Sequence, residues 1–533
     1  MKNYAKHVAV NNTPLTSPIT GKEQNMTVNH DGSYVFKSDK WTCLNRFLIL
    51  GSEGPTYYVS EQTLTVDNVK NVQECIKEDG VKVVQILTDI SIAGRAAKND
   101  PALFVLAMCS AFGDELAKKA SYEALPKVAR IGTHLFHYVN YVSQMRGFGR
   151  GLKTAIANWF NNKKADALAL QMVKYFQRDG WSMTDVLRVS HPIPSSDSHN
   201  KIFNWATKGW ETLPSEVDPN LKTIWAYEKA KTETSEKEIV KLISDYKLPW
   251  EALDTKWLNS NYVWEALIEN IKPEALMRNL GRLSANDFIK PLSKNLNKIC
   301  DILTNDELII SNRLHPLKIL VALKTYSSGH GLKGSLSWSP NQKVVDALNE
   351  AYYKSFKTIE PSNKRTLLAL DVSGSMSWGQ IAGMPLTPRE ACAAMAMIIA
   401  KTEPNYHIMA FCDKFVQLNI TPKMSLEEVL NKTDNLPFGG TNCSLPMKWA
   451  LENKIEVDNF VVLTDNDTNS GSHPIEAFDQ YKKKTGLNSK FTVVSMLPYN
   501  FSIADASRND NLDVVGFDTA TPQLISNFAQ GKI

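Results

Sequence analysis

The sequence predicts two architectures in series: a long array of packed helix pairs, then a doubly wound α/β domain. Three observations predict this. Apolar residues recur at three and four spacing, with few strand-like stretches, from about residue 66 to 357. The period changes at Lys364. From there, short fully apolar runs alternate with helical stretches to the end of the chain. A chain of 533 residues also exceeds what one hydrophobic core normally serves, so at least two folding units are expected.

In the first part, Asp67 caps a helix that runs through Ile76 and stops before Gly80. Further helices are expected at 101–111, 122–131, 133–144, 151–161, 164–177, 183–189, 202–208, 237–244 and 316–325. So many helices joined by short turns cannot share one centre. Stacked pairs of the HEAT or armadillo kind solve that problem, although no repeat register is clean enough to count. In the second part, Thr366–Leu370 is a short apolar run suited to a strand buried on both faces, and 388–402 is helical. Similar runs at 406–411, 460–464, 491–496 and 514–517 alternate with helices at 426–431, 445–453 and 474–484, implying a parallel sheet covered on both faces. The expected boundary lies at Pro361-Ser362-Asn363, giving domains 1–363, with a core of about 25–360, and 364–533.

Composition narrows the class. With 43% hydrophobic and 22% charged residues, the chain reads as ordinary globular protein. No apolar run approaches the ~20 residues of a membrane span, and the N-terminus carries no apolar signal core. A cytoplasmic protein without a membrane partner is expected. Seven scattered cysteines without a CxxC pair read as reduced packing residues and argue against zinc. The net charge of +4 divides unevenly: residues 364–533 carry 15 Lys+Arg against 18 Asp+Glu, and residues 1–363 carry 45 against 38. The helical part is thus the basic one, a weak footprint of polyanion binding that plain solvation also explains.

Asp371-Val372-Ser373-Gly374-Ser375 follows the first buried strand, at the carboxyl edge where such sheets place ligands. A D-x-S-x-S turn offers one carboxylate and two hydroxyls, hard donors that suit Mg²⁺. Gly439-Gly440-Thr441 adds a third hydroxyl, and Asp465 follows a later strand. Taken alone, DVSGS is as well read as a Ser-rich turn. Joined to GGT and LTD in this order it defines a site for one divalent ion on Asp371, Ser373, Ser375, Thr441 and Asp465. The assembly resembles the von Willebrand factor A domain and its metal-ion-dependent adhesion site. The resemblance implies that Ser373, Ser375 and Thr441 bind the ion or its waters, that Asp371 and Asp465 orient those waters, and that an acidic side chain of a partner protein takes the open position. Such sites adhere rather than catalyse.

Several segments of the helical part resemble the Ro autoantigen family, whose ring of helical repeats is the TROVE domain: Arg46 through Gly51-Ser52-Glu53-Gly54-Pro55 to Tyr58, Thr133-His134-Leu135-Phe136, and a run from Gly149-Arg150 through Trp159-Phe160, Lys174–Ser182 and Leu187–His191. A helical ring followed by an A domain is also the family's order. Lys174 and Arg178, four apart, are expected to share one helical side just before Gly180, with His191 opening the next turn. Solvated helix-end cations are an equal reading from spacing alone. The resemblance implies that Lys174, Arg178 and His191 contact small non-coding Y RNA on the outer surface, with Arg146, Arg150 and Lys153 extending that surface. It further implies that the ring hole admits the 3′ end of misfolded or tailed structured RNA, and that bound RNA tethers a nuclease, polynucleotide phosphorylase, in RNA quality control. Animal members carry a longer, lysine-rich stretch where this chain has Tyr138–Met145, so that part of their footprint is not expected here.

The residues leave two rivals. One is a protein-binding scaffold gripping partners through the repeats and the metal site. The other is a metal-dependent hydrolase, against which stand the hydroxyl-rich ligand set and the want of a general base among the motifs. A non-enzyme is expected.

Overall fold

The computed structural model describes residues 13–51, 61–209, 218–332, 335–356, 359–378, 380–434, 436 and 439–533. The chain divides into two compact units: Val72–Ser355, and the residues through Asn71 together with Phe356–Ile533.

The first unit is a helical array. Asp100–Phe112, Glu115–Val128, Gly132–Met145 and Arg150–Asn161 open it, and each helix packs against the next or the next but one. That alternation is how stacked pairs bury their apolar stripes without a common centre. The helical run Glu61–Ala93 is broken at Asp79, whose φ of −155° and ψ of 83° leave the helix and whose side chain accepts from Lys82 N at 2.9 Å. Gly80 therefore starts the second half, and a Cβ there would lie 2.6 Å from that of Ala117, so the glycine sets a close helix approach. The array returns on itself. The chain at Arg313 lies against Gly94, and His315, the cap of Pro316–Ser327, donates from Nε2 to Arg95 O at 3.0 Å.

In the second unit, strands run in the order Asn511–Val515, Lys490–Ser495, Asn459–Thr464, Thr366–Asp371, Tyr406–Phe411 and Phe415–Gln417. The first five are mutually parallel, as expected. The sixth, which the sequence reading missed, is an antiparallel edge formed by a hairpin at 412–414, so the sheet is mixed. Its three residues are too few to show a period. Thr366–Asp371 and Asn459–Thr464 are buried throughout, which explains the four-residue apolar run inside each.

Read along the chain, residues 13–50 belong with the helical part; in space they pack in the α/β unit. A hairpin of Met26–Val28 and Tyr34–Lys37 pairs with Phe501–Ser502. Ile19, Met26, Val35 and Phe36 share one core with Leu367, Phe411, Phe460 and Phe491. Arg46, fully buried in the helix Lys40–Leu50, donates to Tyr499 O and Phe501 O and pairs with Asp513. Of the Arg46–Tyr58 segment, residues 52–58 lie outside the described residues. All seven cysteines are free. Among the described residues no helix is long and apolar enough to cross a membrane.

Candidate metal centre and basic surface

Parallel pairing of Leu370 with Leu463 carries Asp371 and Asp465 to the same carboxyl edge. Asp371 is fully buried; its Oδ1 accepts from Ser373 N at 2.9 Å and its Oδ2 from Thr464 Oγ1 at 2.6 Å. The Ser373 and Ser375 hydroxyls stand 3.1 Å apart. Asp465 Oδ1 accepts from Asp467 N at 3.0 Å, while Oδ2 is buried without a hydrogen-bond partner. Thr441 joins the same loops: its N–H donates to Asn469 Oδ1 at 2.7 Å, and its carbonyl accepts from Thr468 Oγ1, Asn469 N and Ser470 N. All five expected residues are nearly or wholly buried, at 5% exposure or less.

Burial pushes the Asp371 carboxyl up to about 6, against the pull of its hydrogen bonds from Ser373 and Thr464. Asp465 is also held well above the usual carboxylate range, by burial and then by the charges of Asp371 and Asp467. Desolvated carboxylates this close repel one another unless a cation or a proton joins them. Together with the orphaned Asp465 Oδ2 and three hydroxyls, they form a donor set that fits one hard divalent ion. Among the described residues no trio of His, Cys, Asp and Glu is arranged to hold a metal alone, so any ion here relies on the hydroxyls.

Supporting residues went unread in the sequence. Arg389, on the helix Pro388–Thr402, donates to Val372 O at 3.1 Å and to Ser377 Oγ at 3.3 Å, fastening both ends of the DxSxS turn. Asn466, at φ 71°, donates from Nδ2 to Ser495 Oγ and accepts from Ile503 N. The signal was present: Asp465-Asn466-Asp467-Thr468-Asn469 is an unbroken run of short polar side chains, the types that bond loop backbone and neighbouring loops, and only its first residue belongs to the expected site.

In the helical unit the six cations separate. The helix expected to run through Gln177 ends at Lys174. Gln177–Arg178 instead pairs with Trp181–Ser182 across a turn in which Asp179 and Gly180 have φ of 53° and 78°. Lys174 and Arg178 therefore do not share a helical side. Asp-Gly at a two-residue turn is the hairpin signal that outweighed helical spacing. Lys174 is tied to Glu251 Oε1 at 3.3 Å, and the Arg178 side chain is 62% exposed. Asp179 anchors the turn to His137 Nδ1 at 2.5 Å. His191 does not begin a helical turn; it ends Met183–Ser190 in the left-handed conformation, φ 47°, and is exposed.

Arg150, Lys153 and His191 come together. With Phe148, Thr154, Asn158 and Ile193 they line an open groove of about 490 Å³. Phe148 meets Trp181 edge to face at 5.9 Å, which links the groove's rim to the Arg178 hairpin. Arg146 turns inward, donating from Nη1 to Ser110 O at 2.5 Å and to Tyr122 Oη at 3.4 Å, so it holds the 147–149 turn rather than extending the surface. A second cationic group lies near the closure of the array: Arg130 and Lys318 stand near the half-buried His134, and Arg313 near Arg130. Burial, with Arg130 and His137 beside it, pushes His134 down to about 3.

A closed array of helix pairs joined to an α/β domain with a DxSxS, Thr, Asp edge defines a helical-ring protein carrying a von Willebrand factor A module. Residues 27–328 match the TROVE domain family and residues 365–529 the Ro60 vWA domain family. The chain belongs to the Ro family. It is 38% identical to the RNA-binding protein RO60 of Deinococcus radiodurans, with both chains covered in full. It is 34% identical to the RNA-binding protein RO60 of Caenorhabditis elegans, over 95% of this chain and 90% of that one. The crystal structure of the Deinococcus radiodurans RO (RSR) protein matches with a TM-score of 0.71 at 39% identity, over 93% of this chain and all of that one.

Proposed function

We propose that this protein binds RNA: small non-coding Y RNA on the outer surface of the helical unit, and 3′ ends of misfolded or tailed structured RNA in the ring hole, acting in RNA quality control or degradation. The observation that carries the reading is the open groove where Arg150, Lys153 and His191 converge beside the exposed Arg178, in a chain whose full-length relatives bear the name of RNA-binding proteins. Phosphate contacts of this kind bind strongly, read little sequence and weaken steeply with salt. An RNA-tethered exoribonuclease of the polynucleotide phosphorylase type fits as a partner, because a protein that grips RNA backbones can hold a nuclease through the RNA itself. The A-domain edge holds Mg²⁺ on Asp371, Ser373, Ser375, Thr441 and Asp465, and an acidic side chain of a protein ligand completes the ion.

Filter binding of the purified protein to a tailed, structured small RNA across a salt series is the test. Sub-micromolar affinity with a steep negative slope is expected. Affinity no better than that of an unrelated protein of equal charge refutes the proposal and favours the scaffold reading, which the orphaned Asp465 Oδ2 supports.

A further inference from the structure

The turn at Asn29–Ser33 belongs to the N-terminal segment, yet it contacts three successive residues, Asp467, Thr468 and Asn469, of a metal loop more than four hundred residues away. Asn29 Nδ2 donates to Thr468 O at 2.9 Å, and its Oδ1 accepts from Asp31 N and Ser33 N, which fixes the turn's own shape. His30 meets both oxygens of Asp467, through its backbone N–H at 3.2 Å and Nδ1 at 3.0 Å. Asp31 Oδ2 accepts from Asn469 Nδ2 at 2.8 Å.

Each of the last two contacts continues into the metal centre. Asn469 turns its other side-chain atom, Oδ1, to Thr441 N at 2.7 Å, so Asp31 orients the amide that orients Thr441. With Nδ2 given to Asp31, the amide can present only its oxygen to the Thr441 N–H. Asp467 donates its N–H to Asp465 Oδ1 at 3.0 Å, leaving Asp465 Oδ2 free of partners. A Cβ at position 440 would stand 2.8 Å from Asn469 Oδ1, so the glycine there leaves the amide its room.

We infer that the Asn29–Ser33 turn positions the metal centre from behind, with Asp31 acting through Asn469 on Thr441 and His30 through Asp467 on Asp465. The inference rests on the metal site proposed above. Groups that orient metal ligands set affinity almost as strongly as the ligands do, because the ion binds most tightly where its donors are already in place. Thr441 is the donor most in need of such support, since glycines precede it and its loop contributes no strand.

The test measures Mn²⁺ binding by electron paramagnetic resonance and by calorimetry on the full chain, with melting temperatures recorded in EDTA. Wild type is expected to bind one Mn²⁺, and Asp371→Ala none. Asp31→Ala should weaken binding by roughly 10-fold or more, with the EDTA melting temperature unchanged. Asp31→Asn keeps an oxygen to accept from Asn469 Nδ2 and should restore affinity. Wild type without Mn²⁺ overturns the metal site and this inference together. Wild type that binds, with Asp31→Ala binding equally well, overturns the inference alone. An equal loss in Asp31→Asn, or a fall of the EDTA melting temperature matching the lost affinity, also overturns it, since the turn would then merely hold the unit together.

Discussion

Cutting the chain at its sequence boundary should leave an α/β domain that does not fold. Residues 364–533 contain the whole six-stranded sheet, and by sequence they look self-sufficient. In space they lack Ile19, Met26, Val35 and Phe36, which are at most 9% exposed and sit in the same core as Phe460 and Phe491. Each such side chain contributes about 1.5–3 kcal/mol when fully buried, or about 6–12 kcal/mol together as an upper figure. Loss of Arg46 also leaves Asp513 and the carbonyls of Tyr499 and Phe501 without their partner. The sum rivals the roughly 5–15 kcal/mol that holds a domain folded. Near-ultraviolet circular dichroism and thermal unfolding of the 364–533 fragment, alone and with a peptide of residues 13–51 added, give the readout. We expect no cooperative transition alone and a restored transition with the peptide. A cooperative transition in the bare fragment, within a few degrees of that in the full chain, would refute the assignment of the N-terminal segment to this core.

Other outcomes follow from single sites. Mg²⁺ at a hundred times its dissociation constant should stabilise the α/β unit by about 2.7 kcal/mol; Asp371→Ala should abolish that gain while RNA affinity stays at the wild-type value. Replacing Lys174 and Arg178 by Ala should flatten the slope of log affinity against log salt by roughly 1.4–1.8 if both hold phosphates, and an unchanged slope refutes that role. His191→Gly relieves a left-handed residue that costs about 1–2 kcal/mol, less about 0.5–1 kcal/mol for glycine's greater unfolded entropy; calorimetry should show equal or higher stability alongside weaker RNA binding. His134 stays neutral in the folded ring down to about 3, whereas the unfolded chain protonates it near about 6.5. Its contribution is therefore full above about pH 6.5 and falls by about 1.4 kcal/mol per pH unit below it, so urea melts of His134→Asn should lose stability less steeply with acid than wild type.

The cluster at the carboxyl edge, proposed above as the metal centre, was legible as a cluster because its residues are short motifs at strand ends, and a strand that must be buried on both faces has few disguises. Leu367–Leu370 and 460–463 are apolar without interruption, so Asp371 and the pair Thr464-Asp465 stand out as the first polar residues after them. What holds those residues was not legible. Arg389 lies in a helix whose sequence says only that it is apolar nearly all round and so buried, and nothing in Asn29-His30-Asp31 announces a loop more than four hundred residues away. Contacts of that range leave no periodic trace.

The basic surface was misread for a different reason. Lys174 and Arg178 satisfy the four-residue spacing of a helix, and Tyr175-Phe176-Gln177 contains nothing that forbids one. Asp179-Gly180 does, but its effect reaches backwards: a two-residue turn with both φ positive demands extended residues on either side, so Gln177 and Arg178 must leave the helix for Trp181 and Ser182 to pair with them. That rearrangement takes Arg178 off the helix that carries Lys174. It places Arg178 on a hairpin braced by the contact of Asp179 with His137 and by the contact of Trp181 with Phe148, the residue that begins the Arg150 groove. Arg178 thus stands on a braced turn that reaches the groove of Arg150, Lys153 and His191 through Phe148, where the proposed RNA-binding role needs it. If so, Asp179→Ala, which frees the turn without removing any cation, should weaken RNA binding while the salt slope, a count of phosphate contacts, stays as in wild type. A variant that binds as tightly as wild type would show that Arg178 needs no bracing.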